Sequence, residues 1–227
     1  MHYILFFLFI LSSCVNKPFK EKPDSLIIYL HGVSNNPKKD DQKLHRKLKN
    51  IAFKNTFVLY TPFAQGPCSY LSPPRFDQKC WDLLNFTDLN KIKQGVKRLE
   101  DQYGKFKRKI IIGYSNGGYF LAGALQRGML NGFERIGILN GGTVGKYFHK
   151  QENNVPLIFI EIAREDESNK KQGDRLVKLL NKNVNSRKIF YRIIDRGHEI
   201  DSTALENFVN WMLTQNKNIS NKNKTNP

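Results

Sequence analysis

The chain has 227 residues and a formal net charge of +17. A chain of this length favours one domain with a full hydrophobic core, and it leaves little room for a second domain or a large lid. Lysines are interleaved with asparagines, as at 181–183, which indicates a solvated surface. No aromatic-basic interleaving or nucleic-acid-binding module is evident in the sequence, so DNA and RNA are not expected partners.

The N-terminus carries the signals of an exported protein. Residues 3–11 form an apolar run that is too short to span a bilayer as a stable helix, as in the central segment of a secretory signal. The run ends in Leu11-Ser12-Ser13-Cys14, which resembles the lipobox of bacterial lipoprotein signal peptides, although no Lys or Arg precedes it. The resemblance implies cleavage after residue 13 and a lipid on Cys14.

These signals predict both a location and a partner. We expect a signal peptide at 1–13, a lipid-anchored tether at 14–24 and a location in the bacterial cell envelope, facing the periplasm or the cell surface. The membrane is then a partner, and the positive charge favours anionic headgroups, although genome composition explains the charge as well. An uncleaved hydrophobic anchor and an ordinary exported protein are the alternatives.

The chain contains three cysteines, an odd number for an exported protein. If Cys14 carries lipid, Cys68 and Cys80 remain, and these two can close a short loop in an oxidising compartment. The chain-entropy model assigns about 3 kcal/mol of stability to such a closure. Two free buried thiols are the alternative.

The predicted elements alternate between apolar strands and amphipathic helices. In chain order they are a strand at 26–30, a helix at 40–52, a strand at 57–60, an irregular stretch at 61–80, a helix at 88–103, strands at 109–112, 136–139 and 157–162, a helix at 174–181, a strand at 189–194 and a helix at 202–214. This alternation predicts an α/β domain at 25–214, with a doubly wound, mostly parallel sheet and helices on both faces. The polar tail at 215–227 is expected to be disordered.

The pentapeptide Gly113-Tyr114-Ser115-Asn116-Gly117 lies between the strand that ends at residue 112 and a helical pattern at 118–125. A G-x-S-x-G sequence in this strand–turn–helix context predicts a nucleophile elbow. The two outer glycines are needed because any side chain there collides with a neighbouring strand or helix. The motif therefore suggests a serine hydrolase with Ser115 as the nucleophile. A glycine-rich turn with an idle serine is the alternative.

A serine hydroxyl is a poor nucleophile without a base, so the elbow predicts a later acid and a later histidine. His198 follows the last strand and a glycine, at the carboxyl edge of the sheet where open α/β folds bind ligands. The other histidines precede the serine or the expected acid, and a surface-loop histidine is the alternative for His198. The acid is expected after the strand at 157–162, where three carboxylates follow one another as Glu165, Asp166 and Glu167.

Acyl transfer also needs donors for the oxyanion. The backbone amide of Asn116, directly after the nucleophile, is the expected first donor. The second is expected from the loop after the strand at 26–30, which reads His31-Gly32-Val33. By itself a His-Gly pair carries little information, but it stands in the expected order before the elbow and the later Gly197-His198 pair.

Together these motifs resemble the α/β-hydrolase superfamily over most of residues 26–214. The resemblance implies the α/β-hydrolase fold with a minimal lid or none, and a Ser-His-Asp triad of Ser115, Asp166 and His198, with Glu165 as the second choice for the acid. It also implies that the Val33 and Asn116 amides form the oxyanion hole, and that His31 shapes the loop. The resemblance implies no cofactor, and the sequence contains no metal cluster, phosphate loop or dinucleotide fingerprint.

Two narrower likenesses concern the substrate. Ser115-Asn116-Gly117-Gly118 and Cys80-Trp81-Asp82 are similar to the esterases that include poly(3-hydroxybutyrate) depolymerases and feruloyl esterases, whereas the small size suits the carboxylesterase and thioesterase branch. A small-molecule or polymeric ester is therefore the expected substrate. The segment 61–86, with Tyr70, Phe76 and Trp81, is a candidate for the acyl pocket, or these aromatics belong to the core.

Two other functions remain open at this point. A phospholipase or acyltransferase acting on membrane lipids uses the same residues. A non-catalytic binding protein on a hydrolase scaffold keeps the elbow but lacks a connected triad, so the distances between Ser115, Asp166 and His198 distinguish it from an enzyme.

Overall fold

The structure is a computed structural model, and it describes residues 22–68, 75–143, 145, 148–149 and 155–215. The predicted signal peptide at 1–13, the lipidation site Cys14 and most of the tether at 14–24 lie outside the described residues. So does the predicted polar tail beyond residue 215. These assignments stay predictions.

The described chain contains eight strands and six helices. The strands are β1 (Ser25–Leu30), β2 (Phe57–Tyr60), β3 (Gly66–Cys68), β4 (Arg75–Cys80), β5 (Arg108–Tyr114), β6 (Arg135–Leu139), β7 (Leu157–Ala163) and β8 (Ile189–Ile194). The helices are α1 (Pro37–Asp40), α2 (Gln42–Lys54), α3 (Thr87–Tyr103), α4 (Asn116–Gln126), α5 (Glu167–Asn183) and α6 (Ser202–Thr214), with a 3₁₀ turn at Ser186–Lys188. Among the described helices, none combines the length and the apolarity needed to cross a membrane.

Six strands form one sheet in the order β2-β1-β5-β6-β7-β8, and each of its five neighbouring pairs is parallel. The chain first moves from β1 outward to β2 and then returns to add β5 on the other side of β1. Such a reversal opens a crevice beyond the carboxyl ends of β1 and β5. Leu30 pairs with Gly113 at those ends, so the loops after β1 and β5 leave the sheet side by side.

Helices cover both faces of the sheet, as the sequence predicts. Side chains alternate along a strand, so Ile28 of β1 faces one cluster with α3, α4 and α5, while Ile27 faces the opposite cluster with α2 and α6. Both faces are fully buried at the centre, which explains why the central strands read as continuous apolar runs. The predicted doubly wound, mostly parallel α/β fold is confirmed.

The prediction of an irregular stretch at 61–80 is wrong in part, because β3 and β4 pair there as an antiparallel ribbon. The sequence lacks a clear strand pattern because β3 has three residues, one of them Pro67, and the register shifts between Pro67 and Cys68. Cys68 and Cys80 form a disulfide across the ribbon, with their Cα atoms 5.1 Å apart. The predicted pairing of these cysteines therefore holds, and the alternative of two free thiols does not.

Helix α5 also differs from its prediction, since it begins at Glu167 and not at 174. Its first two turns are polar and contain Gly173, so they lack the apolar period that marks a helix in sequence. The start is set by Asp166, whose side chain accepts the backbone N–H of Asn169 as an N-cap. Strand β8 and helix α6 have the predicted bounds.

Candidate active site

Ser115 occupies the sharp turn between β5 and α4. Its φ of 51° and ψ of −115° lie in a region that residues with a Cβ rarely adopt. The turn is held from both sides, because the Ser115 N–H donates to the Leu139 carbonyl over 2.8 Å and the Tyr119 N–H donates to the Ser115 carbonyl over 2.9 Å. The surrounding structure thus imposes a strained backbone on this serine.

The glycines on either side of the serine allow the close approach that the turn requires. A Cβ at Gly113 would lie 2.3 Å from the carbonyl oxygen of Gly117, and a Cβ at Gly117 would lie 2.5 Å from that of Leu30. Backbone atoms of this kind cannot move aside as a flexible side chain does. Only glycine fits either position, as the sequence motif predicts.

His198 lies in the loop after β8. Its ring contacts the side chains of Ser115 and Asp166, the two residues that the sequence predicts as its partners. Nε2 is 2.9 Å from Ser115 Oγ, and Nδ1 is 2.5 Å from Asp166 Oδ2. A carboxylate only accepts hydrogen bonds, so Nδ1 carries the proton and Nε2 is free to accept the serine hydroxyl. The structure therefore places Ser115, His198 and Asp166 in one connected row.

Asp166 remains ionised at neutral pH in this setting. Burial opposes its ionisation, but hydrogen bonds from the side chain and backbone of Asn169 and from His198 lower the pKa of its carboxyl below the usual value. The other carboxylate considered from the sequence, Glu165, is exposed and lies beside Gly197. Asp166, and not Glu165, therefore faces the His198 ring.

Two residues that the sequence reasoning did not select hold the backbone of His198. Asn140 donates through Nδ2 to the His198 carbonyl over 2.6 Å, and the Tyr114 hydroxyl donates to the same oxygen over 3.0 Å. Asn140 also accepts the Ala163 N–H over 2.8 Å and has a φ of 47°. An asparagine directly after an apolar strand was the available signal, because asparagine tolerates positive φ better than most residues.

A buried ionic cluster lies below the same loop. Glu161 is 1% exposed, and its carboxylate is 2.6 Å from Arg192 Nε and 3.1 Å from Arg196 Nη2. The cluster joins the middle of β7 to β8 and to the segment that leads into His198. A glutamate inside the apolar strand 157–163 was the sequence signal, because a buried carboxylate requires cationic partners.

The loop after β1 forms the other wall of the site. His31 is buried; its Nδ1–H donates to the Gly32 carbonyl over 2.5 Å, while Nε2 accepts the Ala64 N–H over 3.0 Å. Burial lowers the pKa of His31 to about 4, so the ring is neutral. The loop passes close to the serine, since a Cβ placed on Gly32 would lie 3.2 Å from the Cβ of Ser115. The loop that contains Val33 therefore lies beside Ser115. His31 thus shapes the loop, and the Val33 amide remains the predicted second oxyanion donor.

Trp81 connects the disulfide ribbon to this wall. Its indole Nε1–H donates to the His31 carbonyl, and its backbone N–H donates to Asn116 Oδ1, each over 2.8 Å. The side chain is 1% exposed and packs 5.7 Å from the Phe120 ring, between centroids. Trp81 is therefore a core residue, whereas Phe76 is exposed and residue 70 lies outside the described part of the chain.

No protein-family model and no curated protein matches this sequence. Solved structures do match the fold. A carboxylesterase from Mesorhizobium loti aligns with a TM-score of 0.62 and 18% identity, covering 84% of this chain and 89% of that one. Acyl-protein thioesterase 2 from Zea mays aligns with a TM-score of 0.60 and 16% identity over 86% and 94% of the two chains. The Bacillus cereus carboxylesterase aligns with a TM-score of 0.58 and 15% identity over 85% and 89%. The chain thus has the α/β-hydrolase fold.

Proposed function

We propose that the protein is a serine hydrolase that cleaves carboxylic esters through an acyl-enzyme. The observation that carries the proposal is the connected row of side chains, in which His198 lies 2.9 Å from Ser115 Oγ and 2.5 Å from Asp166 Oδ2. The strained φ of Ser115 supports it, because strain of this kind is concentrated at functional sites. The two alternatives, a glycine-rich turn whose serine has no function and a non-catalytic binding protein, do not require these three side chains to be in contact.

In the first half of the reaction, Ser115 Oγ attacks the ester carbonyl carbon while its proton moves to His198 Nε2. Asp166 stabilises the imidazolium that forms and keeps the ring in the required orientation. The carbonyl oxygen becomes an oxyanion and accepts hydrogen bonds from the amides of Asn116 and Val33. His198 then transfers the proton to the alcohol oxygen, which leaves as the C–O bond breaks.

In the second half, water replaces the alcohol. His198 takes a proton from the water as its oxygen attacks the acyl carbon, and the second tetrahedral intermediate forms at the same oxyanion donors. When it collapses, the proton passes from Nε2 to Ser115 Oγ and the carboxylic acid leaves. The protein returns to its starting state with one ester bond hydrolysed and one water consumed.

A thioester is the second candidate substrate, because an acyl-protein thioesterase is among the structures that this chain resembles. The same nucleophile and oxyanion donors serve both reactions. A thiol is a better leaving group than an alcohol, so thioester cleavage needs less proton donation from His198. The ratio of rates on matched oxygen and sulfur esters distinguishes the two substrates.

We also propose that the enzyme is anchored to the bacterial cell envelope through a lipid on Cys14. The disulfide between Cys68 and Cys80 supports export, because such bonds persist in oxidising compartments and are rare in the cytosol. Metabolic labelling with a radioactive fatty acid tests the anchor. The Cys14→Ser variant is expected to lose the label and the membrane fraction, and retention of both would contradict the proposal.

The catalytic proposal is tested with purified full-length protein in detergent, using p-nitrophenyl esters of increasing chain length and a fluorophosphonate probe. The probe forms a bond from phosphorus to the serine Oγ and releases fluoride, so it reports an activated serine. We expect Ser115→Ala to lower kcat by about 10³-fold or more and to abolish labelling. The control is Ser168→Ala, an exposed serine of α5. Undiminished turnover in Ser115→Ala, with a folded protein by circular dichroism, would overturn the mechanism.

A further inference from the structure

Asn169, in the first turn of α5, links Asp166 to a tyrosine on another helix. Its side-chain Nδ2 donates to Asp166 Oδ2, and its backbone N–H donates to Asp166 Oδ1 over 3.2 Å. Its side-chain oxygen accepts the hydroxyl of Tyr119, which lies on α4 four residues after Ser115. A continuous row of polar contacts therefore runs from Tyr119 through Asn169, Asp166 and His198 to Ser115.

The chemistry of these groups determines which way the Asn169 amide faces. A carboxylate has no proton to donate, so the amide atom that faces Asp166 must be Nδ2. The opposite atom, Oδ1, then faces Tyr119, whose hydroxyl must donate. Burial, with a smaller contribution from the charge of Asp166, raises the pKa of Tyr119 to about 12, so the hydroxyl keeps its proton at working pH. Tyr119 thereby holds the amide in the orientation that serves Asp166.

The amide nitrogen of Asn169 also lies 2.9 Å from His198 Nδ1. When Nδ1 carries its proton, two donors meet there, and the contact is not a hydrogen bond. When the proton is on Nε2 instead, Nδ1 accepts from Asn169, and the ring can no longer accept the serine hydroxyl. The carboxylate of Asp166 favours the first arrangement because it accepts from both donors. The position of the Asn169 side chain therefore influences which ring nitrogen of His198 carries the proton.

We propose that Asn169 and Tyr119 are positioning residues, which hold the Asp166 carboxylate against His198 and share its negative charge. The inference rests on the proposed hydrolase function and adds two residues to its site. Neither residue touches the reacting atoms: Tyr119 holds Asn169, and Asn169 acts through Asp166 and through its contact with His198 Nδ1. The shared hydrogen bond makes the carboxylate less basic than it would be with His198 as its only side-chain donor.

Other ionisable groups lie near the Asp166–His198 pair among the described residues. Tyr114 of β5 packs against the His198 ring with centroids 5.5 Å apart. Glu165 lies beside Gly197, and Arg196 and Glu199 belong to the same loop as His198. The variants described next leave all of these groups in place, so a change in pH dependence reports the lost hydrogen bonds.

Two variants test the proposal, Asn169→Ala and Tyr119→Phe. Asn169→Ala keeps the backbone N-cap to Asp166 and removes only the side-chain bonds, and Tyr119→Phe removes one hydroxyl. In each we expect kcat on the best p-nitrophenyl ester to fall, by about tenfold for Asn169→Ala and less for Tyr119→Phe, with KM unchanged. We expect the acidic limb of the pH–rate profile to move to higher pH by about half a unit, because the carboxylate attracts the imidazolium more strongly.

Matched controls come from two side-chain hydrogen bonds made elsewhere on α5, one donated by Tyr191 of β8 and one by Asn183 of α5. Tyr191 donates its hydroxyl to Asp174 of α5 over 2.6 Å, and Asn183 of α5 donates to the Leu179 carbonyl over 2.7 Å. Tyr191→Phe and Asn183→Ala remove the same chemical groups without contacting Asp166. They are expected to keep both the rate and the pH profile of the wild type. A purely structural loss on α5 would change the controls and the test variants alike.

A second measurement does not depend on turnover. The ring of His198 is titrated by nuclear magnetic resonance through its Cε1 signal, and the midpoint is expected at higher pH in Asn169→Ala and Tyr119→Phe than in the wild type. An unmoved or lowered midpoint in both folded variants overturns the positioning role. If the midpoint moves as expected but no ester or thioester is cleaved, the positioning role stands and the hydrolase proposal fails. If esters are cleaved and the variants match the controls, only the positioning role fails.

Discussion

The backbone N–H of Trp81 donates to the side-chain oxygen of Asn116 over 2.8 Å, although the two residues are 35 positions apart in the chain. Asn116 follows Ser115 directly, and its amide is the predicted first oxyanion donor. The indole of the same tryptophan donates to the His31 carbonyl, in the loop of the predicted second donor. One buried residue therefore ties together both halves of the predicted oxyanion hole.

Asn116→Ala is expected to weaken both the fold and the catalysis. The substitution leaves the buried N–H of Trp81 without this acceptor, which costs about 1–3 kcal/mol in the free energy of unfolding. The elbow also loses its link to Trp81, so kcat is expected to fall. Urea unfolding and ester turnover measure the two effects. Asn90→Ala, at an exposed position of α3, is the control and is expected to change stability by about 0.5 kcal/mol or less.

Loss of the Cys68–Cys80 disulfide is expected to reduce stability and activity together. Reduction with dithiothreitol, or the double variant Cys68→Ser/Cys80→Ser, should lower the free energy of unfolding by about 2–4 kcal/mol. Because Cys80 precedes Trp81, a looser ribbon also weakens the hold on Asn116 and His31. The reductant should have no further effect on the double variant. Equal stability of the oxidised and reduced wild type would contradict this account.

Gly117→Ala is expected to prevent the elbow from forming. A Cβ there would lie 2.5 Å from the Leu30 carbonyl oxygen and 2.7 Å from that of His31, and both are backbone atoms of β1 and the loop that follows it. We expect a loss of about 3 kcal/mol or more in unfolding free energy, or an insoluble protein. Gly66→Ala is the matched control, since its Cβ would meet only an ordinary contact of 3.6 Å. A Gly117→Ala variant as stable as this control would show that the start of α4 does not approach β1 and its loop as closely as described.

The buried His31 and the half-buried Asp41 make the stability depend on pH in opposite directions. Burial lowers the pKa of His31 to about 4, so its contribution to stability is present above its usual value of 6.5 and is lost as the pH falls through about 4. Burial, aided by the charge of Asp40, raises the pKa of Asp41 to about 6. The contribution of Asp41 is therefore present below its usual 3.8 and is lost as the pH rises through about 6. Burial also lowers the pKa of His45, which acts in the same direction as His31.

Asp41→Asn separates these opposing effects. We expect this variant to be more stable than the wild type at neutral pH by about 1–3 kcal/mol and equally stable near pH 4, where Asp41 is protonated. Between these limits the stability of the variant should rise more steeply with pH than that of the wild type. Urea unfolding at several pH values provides the measurement. A variant less stable than the wild type at neutral pH would show that the Asp41 charge is stabilised by its surroundings.

Local patterns in the sequence predicted much of the fold. The central strands have continuous apolar runs because both of their faces are buried, and α6 carries a clear helical period between the bounds observed. The elbow was visible because its strand, its glycines and its helix are adjacent in the chain. The order of the strands predicted where an acid and a histidine should lie, since the carboxylates at 165–167 and His198 each follow a strand that ends at the same edge of the sheet.

The predictions were incomplete wherever distant contacts determine the structure. The ribbon of β3 and β4 depends on a disulfide and a shifted register, and the start of α5 depends on the capping bond from Asp166. Asn140 and Glu161 were missed because their partners come from β7, β8 and the His198 loop. Hydrogen bonds of this kind leave no periodic pattern in the sequence.

The sequence by itself therefore determined the class of fold, the place of the elbow and the order of the chemical groups along the chain, because these depend on local propensity and on alternation of strand and helix. Only the tertiary structure decided that Asp166 and not Glu165 meets His198, that Trp81 belongs to the core, and that Asn169 and Tyr119 lie behind the carboxylate. Those outcomes depend on distances of about 3 Å between residues remote in sequence, and such distances are set by the packing of the whole domain.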